Sequence, residues 1–135
     1  MKFSESLKKN PDFQYVYRKG TSCANRYFVM YTLENGTEGN RIGISVSKKV
    51  GNSVIRHRVK RLVREAYRLQ EEMFVRGLDI VVIARVTAKK ISYWETESAL
   101  LHLGGLQNIL KSAEDCNKES NEHSKSDKRN GNIKC

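Results

Sequence analysis

The sequence is short of most features that would mark a chain as membrane-bound, secreted, metal-built or self-sufficient in catalysis. It has one proline and nine glycines in 135 residues, so it is neither collagen-like nor disordered throughout. No apolar run approaches the ~18 residues that signal a membrane span, and the N-terminus MKFSESLKKNPD has no apolar signal-peptide segment; the cytoplasm is the expected compartment. Three cysteines, Cys23, Cys116 and Cys135, form no CxxC pair, and their odd count and wide spacing fit reduced thiols. Cys116, His123 and Cys135 lack the spacing of a structural zinc site. There is no phosphate loop and no dinucleotide fingerprint. The histidines, His57, His102 and His123, are scattered, which disfavours a paired acid–base catalyst. Carboxylates are not clustered where the cations are, which disfavours a protein-held metal nuclease.

Acidic residues are scarcest where basic ones are densest. The chain carries 25 Lys and Arg against 15 Asp and Glu, net +10. Residues 1–40 contribute +2, residues 41–68 contribute +8, and both 69–112 and 113–135 are neutral. In the middle segment nine cations (Arg41, Lys48, Lys49, Arg56, Arg58, Lys60, Arg61, Arg64, Arg68) meet one carboxylate, Glu65. A solvated helix face normally interleaves acidic partners at i+4. A concentrated cationic face is the footprint of a polyanion, and the phosphate backbone of a nucleic acid is the regular one.

Residues 53–69 have helical periodicity, with Asn52 or Ser53 as cap. Ile55, Val59, Leu62, Val63, Ala66 and Leu69 make one apolar stripe, while Lys60, Arg61, Arg64, Arg68 and His57 fall on the opposite side and Arg56 and Arg58 flank the stripe. A core that needs that stripe leaves none for a membrane surface. A first helix is expected over 11–19, capped by Asn10 and closed by Gly20 in a left-handed conformation. RYFVMYTL (26–33) reads as a strand and ENGTEGN (34–40) as turn chemistry, so a hairpin to a strand at 41–47 is expected. In that second strand Ile42, Ile44 and Val46 face a core, and Gly43, Ser45 and Ser47 form a small opposite face. DIVVIARV (79–86) reads as a strand buried on both faces, which with 42–47 and 53–69 makes a βαβ unit. Ser92-x-x-Glu95 is a capping box for a last helix over about 93–110, weakened at Gly104-Gly105. The polar segment after Ala113 is expected to be disordered.

The aromatics Phe13 and Tyr17 share a face of the first helix, and Tyr27 and Tyr31 share a face of the strand. By spacing alone they read as core. Beside cations they would also suit single-stranded nucleic acid, whose bases stack at ~1–3 kcal/mol each. On the residues, the chain is a binding module rather than a self-sufficient enzyme.

Gly51-Asn52-Ser53-Val54-Ile55-Arg56-His57-Arg58-Val59-Lys60-Arg61-Leu62-Val63-Arg64-Glu65-Ala66-Tyr67 resembles the signature of the bacterial ribonuclease P protein subunit. Asp12-Phe13-Gln14, Tyr17-Arg18-Lys19-Gly20, Asn25-Arg26 and the run Ile42 to Lys49 match in the family's order, so the resemblance covers about residues 3–110. It implies an α+β fold, a two-layer αβ sandwich with a small mixed sheet and a left-handed βαβ crossover, where the default would be right-handed. It implies an RNA-binding domain over 1–112, while the disordered polar tail expected from composition over 113–135 has no counterpart in it. It further implies an endoribonuclease holoenzyme that removes the 5′ leader from precursor tRNA, with Mg²⁺ held mainly by a catalytic RNA subunit and no catalytic residue on the protein. By matching position, Arg56, His57, Arg58, Lys60, Arg61, Arg64 and Arg68 would bind the RNA subunit. Phe13, Tyr17, Arg26, Tyr31, Ser47, Lys48 and Lys49 would line a cleft for the leader. His57 stands where the family usually has Asn, exchanging an amide for a larger ring with one donor and one acceptor. The alternative is a non-catalytic structural RNA-binding protein of ribosomal or RNA-chaperone type.

Overall fold

The computed structural model describes residues 2–111; the tail, with Cys116, His123 and Cys135, lies outside them. In chain order the elements are β1 (Ser4–Ser6), α1 (Asn10–Lys19), β2 (Thr21–Ala24), β3 (Phe28–Glu34), β4 (Asn40–Ser45), α2 (Ser53–Leu69), β5 (Leu78–Ala84) and α3 (Tyr93–Leu106), with single 3₁₀ turns at Glu71–Met73 and Val86–Lys90. The five strands form one sheet in the order β1-β4-β5-β3-β2. β1, β4 and β5 run parallel, and β3 pairs antiparallel with both β5 and β2.

The expected hairpin does not form. β3 and β4 are both neighbours of β5, which lies between them. The reason is in β5 itself: Leu78, Ile80, Val81, Val82 and Ala84 are all buried, and a strand apolar on both faces belongs at the centre of a sheet with helices on either side. The βαβ unit of β4, α2 and β5 is present, with Arg41 to Ser45 in register with Asp79 to Ile83. β1 and β2 were not anticipated, being too short and too polar for a period-2 pattern to register.

α2 and α3 cover one face of the sheet, over Phe28, Met30, Ile42, Ile80, Val82 and Ala84. α1 covers part of the other, where Leu7, Val16 and Val81 form a smaller buried cluster. Details of the helices differ from expectation. Asn10 is already helical and Lys9 takes the cap position without a side-chain bond. Gly20 is extended (φ −85°) rather than left-handed; a Cβ there would lie 2.7 Å from the carbonyl oxygens of Thr32 and Val16, so the glycine provides space and not a turn. On α2 the buried stripe is Val59, Val63, Ala66 and Tyr67, while Leu69 is exposed. The tyrosine displaces the leucine because its hydroxyl finds partners inside: Ser4 Oγ at 2.7 Å and the Asn40 amide at 3.1 Å. α3 starts on the expected Ser92–Glu95 capping box, runs through Gly104-Gly105 and ends at Leu106. Cys23 is buried in the core under α2 and α3.

Two buried polar clusters fasten the periphery. Asn40 donates to the Val75 carbonyl (3.0 Å) and accepts from Leu78 N–H (2.9 Å), and Glu71 accepts from the backbone N–H groups of Lys2 (2.7 Å) and Phe3 (3.0 Å). On the α1 face, Asp79 accepts from Arg41 Nε (2.9 Å) and Nη2 (2.6 Å) and from the Asn35 amide (3.0 Å). Burial pushes the Asp79 carboxyl up, but the Arg41 and Asn35 hydrogen bonds and the Arg41 charge overcome it and hold it below its usual range.

Replacing Asp79 by Ala leaves the Arg41 guanidinium only its longer contact with Asp12 (3.4 Å) and the Asn35 amide only the Gly39 carbonyl (3.2 Å). The expected loss is about 3 kcal/mol, the low end for a pair broken from its buried side, because Arg41 stays partly solvated. A carboxyl whose folded pKa is depressed contributes fully above its unfolded value, about pH 4, and loses that contribution as pH falls through the folded value. Urea titrations of wild type and variant should therefore diverge at neutral pH and converge in acid.

Candidate nucleic-acid interface

Strand register defines a face of the sheet that α1 only half covers. Ser22, Tyr31, Val81 and Gly43 lie opposite one another across four strands, and Ala24, Val29, Ile83 and Ser45 form the next row. α1 lies over the first row. Phe13 stands against Gly43, where a Cβ would come within 2.6 Å of its Cζ, so the small face expected at 43–47 admits an aromatic side chain. Tyr17 packs edge-on to Tyr31 at 5.1 Å and tilted to Phe13 at 6.4 Å; burial, the larger influence, pushes its phenol up against the opposing effect of the Ser45 hydroxyl.

The second row stays half-buried because α1 is only ten residues long. The result is a trough with an aromatic wall of Phe13, Tyr17 and Tyr31 and a floor of Val29, Ile83 and Ser45. These aromatics are half-buried, neither core nor surface. The floor residues Val29 and Ile83 escaped the sequence reading, since a strand apolar on both faces gives no sign that one face is only partly covered.

β4 delivers its carboxyl end to Ser47, Lys48 and Lys49, all exposed. Their turn is held by Ser47, whose carbonyl accepts from Val50 N–H (3.1 Å) and whose hydroxyl accepts from Lys49 N–H (3.3 Å). Asn52 then caps α2, its Oδ1 accepting from Ile55 N–H at 3.0 Å. The trough floor at Ser45 and the start of the basic helix are thus seven residues apart on one continuous path.

The cations of α2 fall into two groups. Arg56 donates to Gly51 O (3.2 Å), Arg58 to Ile91 O (2.7 Å), and Arg68 pairs with Glu65 (2.6 Å). Lys60, Arg61, Arg64 and the exposed His57 have no hydrogen bond or ion pair among the described residues. Three of the cations therefore carry structural duties, and Lys60, Arg61 and Arg64 are the uncommitted charge. Arg26 is not in the trough: Asn25 Oδ1 accepts from the N–H groups of Tyr27 and Phe28, and this turn carries Arg26 and Tyr27 toward α3, with the Arg26 guanidinium 5.3 Å over the Tyr27 ring. No group of three or more His, Cys, Asp or Glu among the described residues is placed to hold a metal ion, and no helix among them is long and apolar enough to cross a membrane.

A half-covered sheet face with an aromatic wall, joined to an unpaired cationic helix face, defines a small α+β protein built to hold RNA. Comparison with known proteins narrows the class. The ribonuclease P family model matches residues 1–106. The chain is 54% identical over 111 residues to the ribonuclease P protein component of Lachnoclostridium phytofermentans, covering 82% of this chain and 96% of that one. It is 52% identical over 113 residues to that of Alkaliphilus oremlandii, covering 84% and 99%. The solved RNase P protein of Staphylococcus aureus superposes with a TM-score of 0.72 at 42% identity, over 78% of this chain and 96% of that one. That of Thermotoga maritima gives 0.69 at 34%, over 73% and 94%. The chain belongs to the bacterial ribonuclease P protein family.

Gly43→Ala tests the trough wall. The added methyl forces Phe13 aside, and the expected cost is about 1–3 kcal/mol in urea unfolding, the range for overpacking, with the fold retained by circular dichroism.

Proposed function

We propose that the two surfaces divide the protein's work within ribonuclease P. The chain is the protein subunit of this endoribonuclease, a holoenzyme in which the RNA is catalytic and which matures the 5′ ends of tRNA. In our reading the α2 face, with Lys60, Arg61 and Arg64 as its free cations and Arg56, His57, Arg58 and Arg68 around them, docks the catalytic RNA. The trough beside α1 takes the single-stranded 5′ leader of precursor tRNA, with Phe13, Tyr17 and Tyr31 as stacking surfaces and Ser47, Lys48 and Lys49 at its mouth for phosphates. Arg26 would reach RNA from the α3 side. Residues 1–112 are the RNA-binding unit, and the cytoplasm is the place of work. The observation that carries this reading is the continuity of trough and basic helix through residues 45–52. A leader lying in the trough leaves it beside the RNA docked on α2.

Mg²⁺ would be held mainly by the RNA, where it would supply charge for phosphodiester hydrolysis. The protein's part is to neutralise phosphates, so that RNA and substrate approach with fewer ions between them. The purified chain should not cleave precursor tRNA by itself, and it should lower the Mg²⁺ concentration at which a bacterial ribonuclease P RNA does so. Metal-dependent cleavage by protein free of RNA would sink this division.

Phe13→Ala should weaken binding of leader-bearing precursor more than of mature tRNA, by ~1–3 kcal/mol for a lost stacking partner; equal losses would remove Phe13 from leader binding. Replacing Arg61 and Arg64 together by Ala should flatten the log–log salt dependence of catalytic-RNA binding by about 2, one for each phosphate released.

A further inference from the structure

On the α3 side of the sheet lies a cavity of about 460 Å³ that neither proposed surface uses, between the Asn25–Phe28 turn and the first three turns of α3. It is lined by Asn25, Arg26, Tyr27, Trp94, Ser98 and His102, among others. Its volume suits a small ligand, and its chemistry is unusual for an idle surface. Trp94 is the chain's only tryptophan and is 73% exposed, which leaves a large apolar ring in water. It is held in place, since the Ser92–Glu95 capping box fixes the turn that carries it and Tyr93 packs edge-on to it at 5.2 Å.

The opposite wall is equally fixed. Arg85 donates to Asn25 O at 2.7 Å and Thr87 to Arg26 O at 2.5 Å, pinning the turn to the end of β5. Both oxygen contacts of the turn fix the Asn25 amide: its Oδ1 takes two backbone N–H groups, so its Nδ2 is the donor to Ala99 O (3.1 Å) and to His102 Nδ1 (3.3 Å). With Nδ1 accepting, Nε2 of His102 carries the ring N–H and offers a donor. Arg26 forms no close ion pair among the described residues; the Glu95 carboxylate, which lines the same pocket, accepts from Ser92 N–H (3.0 Å) and the Tyr27 hydroxyl (3.3 Å), and these bonds with the Arg26 charge hold it below its usual range. A flat apolar ring, an exposed guanidinium and a fixed ring N–H donor are together what an unstacked nucleotide needs: a surface for the base, a charge for the phosphate and a hydrogen bond for a base-edge acceptor.

We propose that this pocket holds one unstacked nucleotide of the catalytic RNA, its base on the Trp94 indole and its phosphate on Arg26. The catalytic RNA is the source because the pocket lies on the α2–α3 face of the sheet, opposite the face that carries the trough. Arg58 also joins the start of α2 to Ile91, the residue before the α3 cap, so RNA lying along α2 continues onto the pocket. The inference rests on α2 being the RNA-docking face.

Because Trp94 is the sole indole, the full-length chain reports on its own pocket. Titration with a bacterial ribonuclease P RNA should give a saturable fall in indole emission that tracks the mobility shift of the complex. Trp94→Ala should bind that RNA about tenfold more weakly, within the range for one lost stack, and Trp94→Phe, which keeps a ring, should recover most of the loss. Unchanged emission on a complex confirmed by mobility shift, or a Trp94→Ala variant of wild-type affinity, would overturn the proposal. So would emission that falls only with precursor tRNA, which would give the nucleotide to the substrate. Failure of the α2 reading looks different: Arg61 and Arg64 could then be replaced without loss of RNA binding.

Discussion

β5 must be buried on both faces, and the rest of the molecule is arranged around that requirement. Seven consecutive residues, of which only Asp79 is polar, can be covered only at the middle of a sheet with helices above and below. That separates β3 from β4, sends α2 over as a crossover and recruits α1 to the far side. The one charge in the strand is tolerated because Arg41, opposite it on β4, and Asn35, in the preceding turn, supply three hydrogen bonds to its two oxygens. A buried carboxylate is costly unless so satisfied. The pair also fixes β4 against β5 at the end of the sheet remote from the basic turn.

The two faces of that sheet are covered unequally, and the inequality makes the site. The α2–α3 face is a full core, whereas α1 is short and leaves a row of half-buried residues beside it. Aromatics that would otherwise complete a core therefore stand at the edge of an open trough, fixed by packing on one side and available on the other. Such preorganised rings lose little freedom on stacking with a base. Gly43 sets the depth at which Phe13 sits, so a residue without a side chain places one of the site's main surfaces.

Charge on α2 is likewise sorted by structure. Arg56, Arg58 and Arg68 bind groups of the protein, which holds the helix start, the α3 cap region and the last turn in place. Lys60, Arg61 and Arg64 are left to act on solvent or RNA. A helix that used every cation for RNA would have nothing to orient it; one that paired them all would have no long-range attraction for a polyanion.

By itself the sequence determined α2 almost to the residue, the α3 capping box, the buried character of β5 and the concentration of charge in residues 41–68. Each rests on a local signal: a helical period, a cap at fixed spacing, an unbroken apolar run, a charge imbalance. It also carried the long 51–67 match by which the family is recognised. The tertiary structure alone decided strand order, because β3 and β4 satisfy hairpin chemistry locally and only the burial of β5 forbids it. It decided that Tyr67 and not Leu69 enters the core, since the hydroxyl's partners, Ser4 and Asn40, are far away in the chain. It sent Arg26 to the α3 side through an Asn25 turn that no periodicity encodes, and it left the aromatics at a trough rather than in a core. Apart from the Asn25 turn, whose hydrogen bonds are local, the deciding contacts join residues distant in sequence, and a pattern read along the chain has no access to them.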